Sequence, residues 1–355
     1  GLAGRRLRVV LMTAFGARAL VLASVGVYAG FAAMAAARER AFGFRVALGS
    51  SRPALAGLVL RQGALWMGGN GLSVDANTNL YFETGNGSFS ANTNGGDYAD
   101  SFVKLSTISN KLAVADYFTP YNQLSLQNAD SDLGSGGPLL LPDSVGSTAH
   151  LHLIVGAGKE GKIFLLDRDN MGRYDGTDGK NGSDTNNVQE LPGAIGGVWD
   201  SPAYWNNYIF YHGNGDVLKA FYITNGLFNA TPASRSATSF GFPGATPTVS
   251  ANGTNNGIVW DVDPTPYLSS GPAVLHAYNA TNVAIELYNS SQNLARDNPG
   301  GAVKMVPPVI AGGKVYVGAE YAVSVFGNAL FIATPTIAPT GGSFENSTLV
   351  TLSDA

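Results

Sequence analysis

Between Gly71 and Gly327 the chain repeats itself five times, and that repeat constrains the fold more than any other feature. Each unit opens with an apolar stretch after Pro or a small residue, seen in GLSVDAN, GGPLLLP, DSPAYWN, GATPTVSAN and VPPVIAGG. A short alternating run that ends near Gly follows, and then a third run that tends to end on an aromatic. These pairs are NLYFETGNG with DSFVKLS, LHLIVGAG with GKIFLLD, NYIFYHGNG with VLKAFYI, GIVWDVD with AVLHAYN, and KVYVGAE with AVSVFG. Apolar alternation over short runs, punctuated by Gly, Asn and Asp, is a strand signal, and the connections are too rich in Gly for helices. LAVADYF and VAIELYNS are candidates for a fourth strand in two units. Four-stranded units repeated around an axis form a propeller, which leaves only short protected edges. Two facing sheets, a β-sandwich, are the alternative, but they give no reason for the same triplet to recur five times. The expected fold is mainly β: a partial β-propeller with about five recognisable blades, preceded by a transmembrane α-helix.

Composition agrees with strands and narrows the chemistry. The 46 glycines, with abundant Asn, Thr, Ser and Tyr, suit short strands joined by tight turns. The chain has no Cys, which excludes disulfides, thiolate metal sites and a Cys nucleophile. A net charge of −4 argues against a nucleic-acid partner, which requires clustered Lys and Arg. The charge is divided unevenly. Up to Gly68 there are nine Arg against one acid, Glu39, a net charge of +8, so the remainder carries −12. Lys and Asn are absent before that break and frequent after it. Three segments are expected: 1–65, a membrane helix with a basic flank; 66–328, the propeller; and 329–355, a separate short module.

In the first segment, Val9 to Ala37 holds one charge, Arg18, and is long enough to span a bilayer with some tilt. Arg18 is near enough to one interface for its stem to snorkel. A secretory signal peptide is the alternative, with Arg5, Arg6 and Arg8 as its basic region, but the apolar run exceeds a typical signal core and a basic stretch follows it. The chain is therefore expected to be membrane-associated through residues 9–37. Five Arg follow the helix and three precede it, which places the downstream side in the cytoplasm.

Three resemblances extend this reading. RRLRVVLMTAFGARALVLASVGVYAGF with RERAFGFRVALGSSRPALAGLVLRQG resembles the C-terminal part of an FtsX-like, MacB-type ABC transporter permease domain over about 5–64, departing from it at Arg18. The units from about 66 to 327 resemble PQQ-like propeller repeats. DYFTPYNQ, DLGSGGPLLLPD, VGAGKEGKIFLLDRDNMG and LPGAIGGVWDSPAYW in particular resemble one bacterial group of such propellers. IATPTIAPTGGSFENSTLVTLSDA resembles the opening strands of the Ig-like module at the C-terminus of chitobiases and hexosaminidases. The propeller resemblance implies seven or eight blades in a whole protein, so five imply an arc, with both chain ends reading as truncated. It also implies an exported protein, in conflict with the charge count on the helix. An arc leaves open blade edges, which favour self-association.

Candidate chemical sites are sparse. The quinoprotein resemblance implies pyrroloquinoline quinone with calcium, an Asp base, a Trp beneath the ring and adjacent cysteines. The cysteines are absent and the calcium ligands match no motif here, so neither quinone nor calcium is expected. Asp130 and Asp132, in NADSDLGSGG, are the candidate cation ligands, since oxygens at alternate positions suit Ca²⁺, although an Asx-rich turn entering a strand is the favoured reading of them. The loop from Asp167 has Met171 where a calcium loop needs oxygen. His150 and His152 would share one strand face without a third ligand, and His212 and His276 fall in other units. Ser135 in LGSGG leads into a strand rather than a helix, which removes the nucleophile-elbow reading, and GAGKEGK lacks phosphate-loop spacing. Trp199, Trp205 and Trp260 read as packing residues, with carbohydrate stacking as the functional alternative. The expected function is a non-catalytic binding or interaction scaffold with a protein or carbohydrate partner. The alternatives are an ABC permease-type membrane protein and a quinoprotein-like oxidoreductase remnant.

Overall fold

The computed structural model describes residues 71–106, 112–176 and 182–327, together with the backbone of the strands Thr336–Ala338 and Thr351–Ser353. All belong to the second of the chain's two units, Ala64–Ala355. The first sheet runs β1 (Ser73–Val74), β2 (Leu80–Glu83), β3 (Phe102–Ser106) and β4 (Ala113–Phe118). The second runs β5 (Leu139–Leu140), β6 (Leu153–Ala157), β7 (Ile163–Asp167) and β8 (Gln189–Leu191). In the third, β9 (Ala203–Trp205), β10 (Tyr208–Tyr211) and β11 (Asp216–Thr224) lie in order. Both β12 (Leu227–Phe228) and β13 (Ser234–Phe240) pair with the outer side of β11. The fourth runs β14 (Thr248–Asn252), β15 (Asn255–Asp263), β16 (Val274–Asn279) and β17 (Glu286–Asn289), and the fifth β18 (Val309–Ala311), β19 (Lys314–Ala319) and β20 (Ala322–Phe326). Among the described residues every pairing between these strands is antiparallel and joins neighbours in sequence, apart from the shared outer edge of β11, and Phe118 adds one isolated parallel bridge to Arg173.

Local chemistry sets the register. Asn206 and Asn207 both adopt positive φ (48° and 67°), so Trp205 pairs directly with Tyr208 across a two-residue turn. Gly312 and Gly313 do the same (56° and 75°) and set Ala311 opposite Lys314.

Side chains from successive sheets then interlock face to face. Tyr81, Phe102 and Phe118 of the first sheet pack on Ile154, Phe164 and Leu166 of the second. The opposite face of the second sheet, Val155, Ile163 and Leu165, packs on Ile209, Tyr211 and Phe221 of the third. Phe210 and Leu218 meet Val259 and Tyr278, and Val262 and Leu275 meet Val315 and Val317. The short first strands are tied side chain to backbone: Ser73 donates to the Pro138 carbonyl, Ser201 to Gly137 and Thr248 to Pro308. The described fold is mainly β, with several antiparallel sheets stacked in sequence in a propeller-like way.

All five triplets form the strands expected of them, and LAVADYF and VAIELYNS supply the fourth strands β4 and β17. Three outer strands, β8, β12 and β13, were not anticipated: β12 is only two residues long, and β8 and β13 each follow a polar connection without apolar alternation. The short helices α1 (Gln123–Asn128) and α2 (Leu294–Asp297) correct the helix-free reading of the connections. The expected membrane helix over 9–37 and the permease-like segment lie outside the described residues. Among the described residues no helix is long and apolar enough to cross a membrane. In the C-terminal segment, β21 (Thr336–Ala338) and β22 (Thr351–Ser353) pair antiparallel.

Candidate functional site

In an antiparallel meander, the loop between the second and third strands and the linker to the next sheet leave from the same end. Those loops and linkers touch here. Gly85 lies against Asp132, Gly158 against Leu133, and Gly213 against Gly196, and Gly241 N–H donates to the Thr265 hydroxyl. This end gathers most of the buried titratable groups and is the candidate site.

Asp130 and Asp132 sit in the linker from the first sheet to the second. Asp132 is buried, while Asp130 is exposed and held at φ 53°. Lys159, from the loop between β6 and β7, places its ammonium 2.5 Å from Asp132 Oδ2 and 3.1 Å from Asp130 Oδ2, and donates to the Asp130 carbonyl at 2.8 Å. Asn86 donates its backbone N–H to Asp132 Oδ1 (2.6 Å) and its side-chain amide to Asp130 Oδ1 (2.8 Å). The two carboxylates thus converge as the alternate spacing suggests, and the cation between them is a lysine. Behind them Asp100 is fully buried and pushed up to about 6, by burial first and by the Asp132 charge, against the Leu133 N–H that it accepts.

Glu83, at the end of β2, is fully buried with neither carboxylate oxygen hydrogen-bonded among the described residues. Its side chain lies over Gly156 of the second sheet, where a Cβ would come within 1.8 Å of Oε1. Burial pushes its carboxyl well above the ordinary range, which favours the protonated form. On the far side of the second sheet, the buried Tyr211 hydroxyl also has no hydrogen-bond partner among the described residues, and burial and then Glu83 drive its pKa upward.

The third cluster joins the third sheet to the fourth. His212 Nδ1 meets Asp261 Oδ2 at 2.6 Å with both side chains fully enclosed, and Nε2 meets the Asp216 carbonyl at 3.1 Å. A carbonyl only accepts, so Nε2 carries a hydrogen. The ring stacks on Phe240 at 3.9 Å between centroids. Close by, burial first and the Asp261 charge second push the Asp200 carboxyl well up, opposed by the Thr246 hydroxyl. Asp184, buried beside Glu190, is likewise shifted upward by burial.

The other sequence candidates are structural in their surroundings. His150 pairs with Asp167 (2.9 Å) and His152 with Asp169 (2.7 Å), in the approach to β6 rather than on the strand. His276 pairs with Glu286 at 2.6 Å. Met171 is buried in the core between the first two sheets. The Trp205 indole donates to the Gly253 carbonyl and Trp260 to the Ser250 hydroxyl, while Trp199 packs edge-on to Phe242 at 4.8 Å. Ser135 is fully buried and donates to the Val198 carbonyl at 2.6 Å. Among the described residues, no three His, Cys, Asp or Glu side chains converge where a metal ion could sit.

Sequence reasoning missed Glu83, Asp200 and the His212–Asp261 pair. One signal was available for Glu83. Strand alternation puts it on the inward face with Tyr81, and Gly156 shares the facing side with Ile154, an acid opposite a glycine.

No family model matches the chain, and no curated protein matches it. Solved structures similar to it include BamB from Moraxella catarrhalis, 12% identical with a TM-score of 0.41 over 73% of this chain and 57% of that one. Sqt1 from Saccharomyces cerevisiae is 13% identical with a TM-score of 0.41, over 70% of this chain and 56% of that one. Quinohemoprotein alcohol dehydrogenase from Comamonas testosteroni is 16% identical with a TM-score of 0.39, over 71% and 44%. The chain thus spans about half the length of these three structures. The permease-like and chitobiase-like segments find no support in the comparisons.

Proposed function

We propose that residues 66–328 form an incomplete propeller of the PQQ-like repeat type and act as a non-catalytic interaction scaffold with a protein partner. One observation carries the reading: among the described residues most acids at the loop end are buried, while a coherent apolar face is left open at the fifth sheet. Val309, Tyr316 and Val325 stand in one cross-strand row there, with Val323 beside them on the same face. Val323 is 68% and Val325 41% exposed. In each of the first four sheets the face towards the following sheet is covered by it, so a sheet-like protein surface is the complementary occupant. Self-association is the competing use of the same face.

The reading includes no quinone and no calcium. In its support, Asp132 is taken up by Lys159 and Asp261 by His212, and burial pushes the Glu83 and Asp200 carboxyls upward, away from the ionised form that a calcium site requires. The test has two parts. Purified protein given pyrroloquinoline quinone and Ca²⁺ is expected to oxidise neither alcohols nor sugars; robust turnover overturns the scaffold reading. A photo-crosslinker at position 323 is expected to capture one discrete protein in the source cells, and a crosslinker at position 114 to miss it. Equal labelling from both positions argues against a dedicated face.

A further inference from the structure

A pocket of about 340 Å³ opens on the rim between the second and third sheets, remote from the fifth. Its walls are Leu191, Pro192 and Ala194, where the chain leaves β8, and Pro232 from the connection before β13. Its lining also carries two cations, Lys219 on β11 and Arg235 on β13. They stand directly opposite each other in the antiparallel register, an arrangement that costs stability when nothing lies between like charges.

The two cations differ in how they are satisfied. The Lys219 ammonium donates to Asp216 Oδ2 at 2.7 Å and to the Ala194 carbonyl at 3.0 Å. Asp216 therefore neutralises it, and its position behind the wall is fixed. Arg235 is exposed, and its guanidinium has no hydrogen bond, ion pair or ring contact among the described residues. The pocket therefore carries one uncompensated positive charge in a segment that is otherwise strongly acidic. A guanidinium presents a planar fork that matches a carboxylate through two parallel N–H···O bonds. Two prolines hold their backbone with little freedom, so the apolar walls lose little entropy when a ligand docks.

We propose that this rim pocket binds a small organic carboxylate, its charged end paired with Arg235 and its apolar body against Pro192, Pro232 and Leu191. The volume lies at the low end for small-molecule sites and suits a single-ring or branched acid. The site is independent of the scaffold reading, since it lies on another pair of sheets and uses none of the fifth-sheet residues.

Benzoate, benzamide and inorganic phosphate, titrated separately into the full chain and followed by calorimetry and ligand-observed NMR, test it. Benzoate is expected to bind at least about tenfold more tightly than neutral benzamide or phosphate. Arg235→Gln is expected to weaken benzoate by about tenfold or more, with Arg235→Lys in between and Lys314→Gln on β19 without effect. Arg235 is exposed, so its variants are expected to keep the parent's denaturation midpoint, which separates lost binding from lost folding. Absence of benzoate binding up to about 10 mM, affinity unchanged in Arg235→Gln, or phosphate binding as tight as benzoate would each overturn the proposal.

Discussion

The second and fifth sheets start from the same sequence pattern and end in different environments. In the second sheet both faces are covered. Every residue of β6, LIVGA, is buried, and so are the first four of β7, IFLLD. In the fifth sheet one face is covered, so β19, KVYVGA, alternates between partly exposed and buried over its first four residues, and β20, AVSVF, is mostly exposed. A strand covered on both sides can be apolar at every position, whereas one covered on a single side has reason to be apolar only at every second position. The fifth sheet departs from that rule with Val309, Val323 and Val325, apolar on its uncovered face.

This contrast can be broken most forcefully in the second sheet. Phe164→Ala, at 1% exposure between Phe102 and Phe118, is expected to cost about 3–5 kcal/mol in denaturant unfolding, whereas Val325→Ala on β20 costs under about 1 kcal/mol. Equal costs would mean that the fifth sheet is covered in solution. Gly156→Ala is the next largest: its methyl would meet Glu83 Oε1 at 1.8 Å and the Phe102 ring at 2.7 Å. Overpacking of that kind costs about 1–3 kcal/mol, and shortening the acid, as in Glu83→Ala with Gly156→Ala, should recover part of it.

A smaller and pH-dependent effect follows from the buried acids. Glu83 keeps its proton in the folded state at pH values where the unfolded chain has released it. Stability is therefore greatest below the ordinary glutamate pKa and falls as pH rises above it, by up to about 1.4 kcal/mol per unit. Asp100 adds the same sign between 3.8 and about 6, and its contribution to the slope ends there. Unfolding free energies measured from pH 4 to 8 should show this decline, and Glu83→Gln should flatten its upper part; an unchanged slope would place the proton elsewhere. Smallest of all, Val323→Lys should change stability by no more than about 0.5 kcal/mol while reducing any concentration-dependent association seen by sedimentation velocity.

Much of the fold was legible because each strand carries its own signal. Alternation in NLYFETG or KVYVG, and Asn or Gly pairs at the turns, are local properties that survive without knowledge of neighbours. The outer strands β8 and β13 were not legible, since QEL and SRSATSF hold their places by pairing with β7 and β11 rather than by apolar alternation. The site was read less completely. The spacing of Asp130 and Asp132 suggested a cation between them, but Lys159, 29 residues away from the first and 27 from the second, is what lies there. Nothing in the local sequence of GKEGK states which carboxylates it will meet.

What the sequence determined on its own was therefore the repeating unit: strand, turn, strand, turn, strand, with its apolar faces. Tertiary structure decided which acid would be pushed towards its protonated form by burial, which would find a lysine or a histidine, and which cation would be left facing a pocket. Charge state depends on burial and on partners brought in from distant sheets, and those distances are set only when the sheets stack. Strand formation draws mainly on side-chain spacing along one stretch of chain, which the linear order already contains.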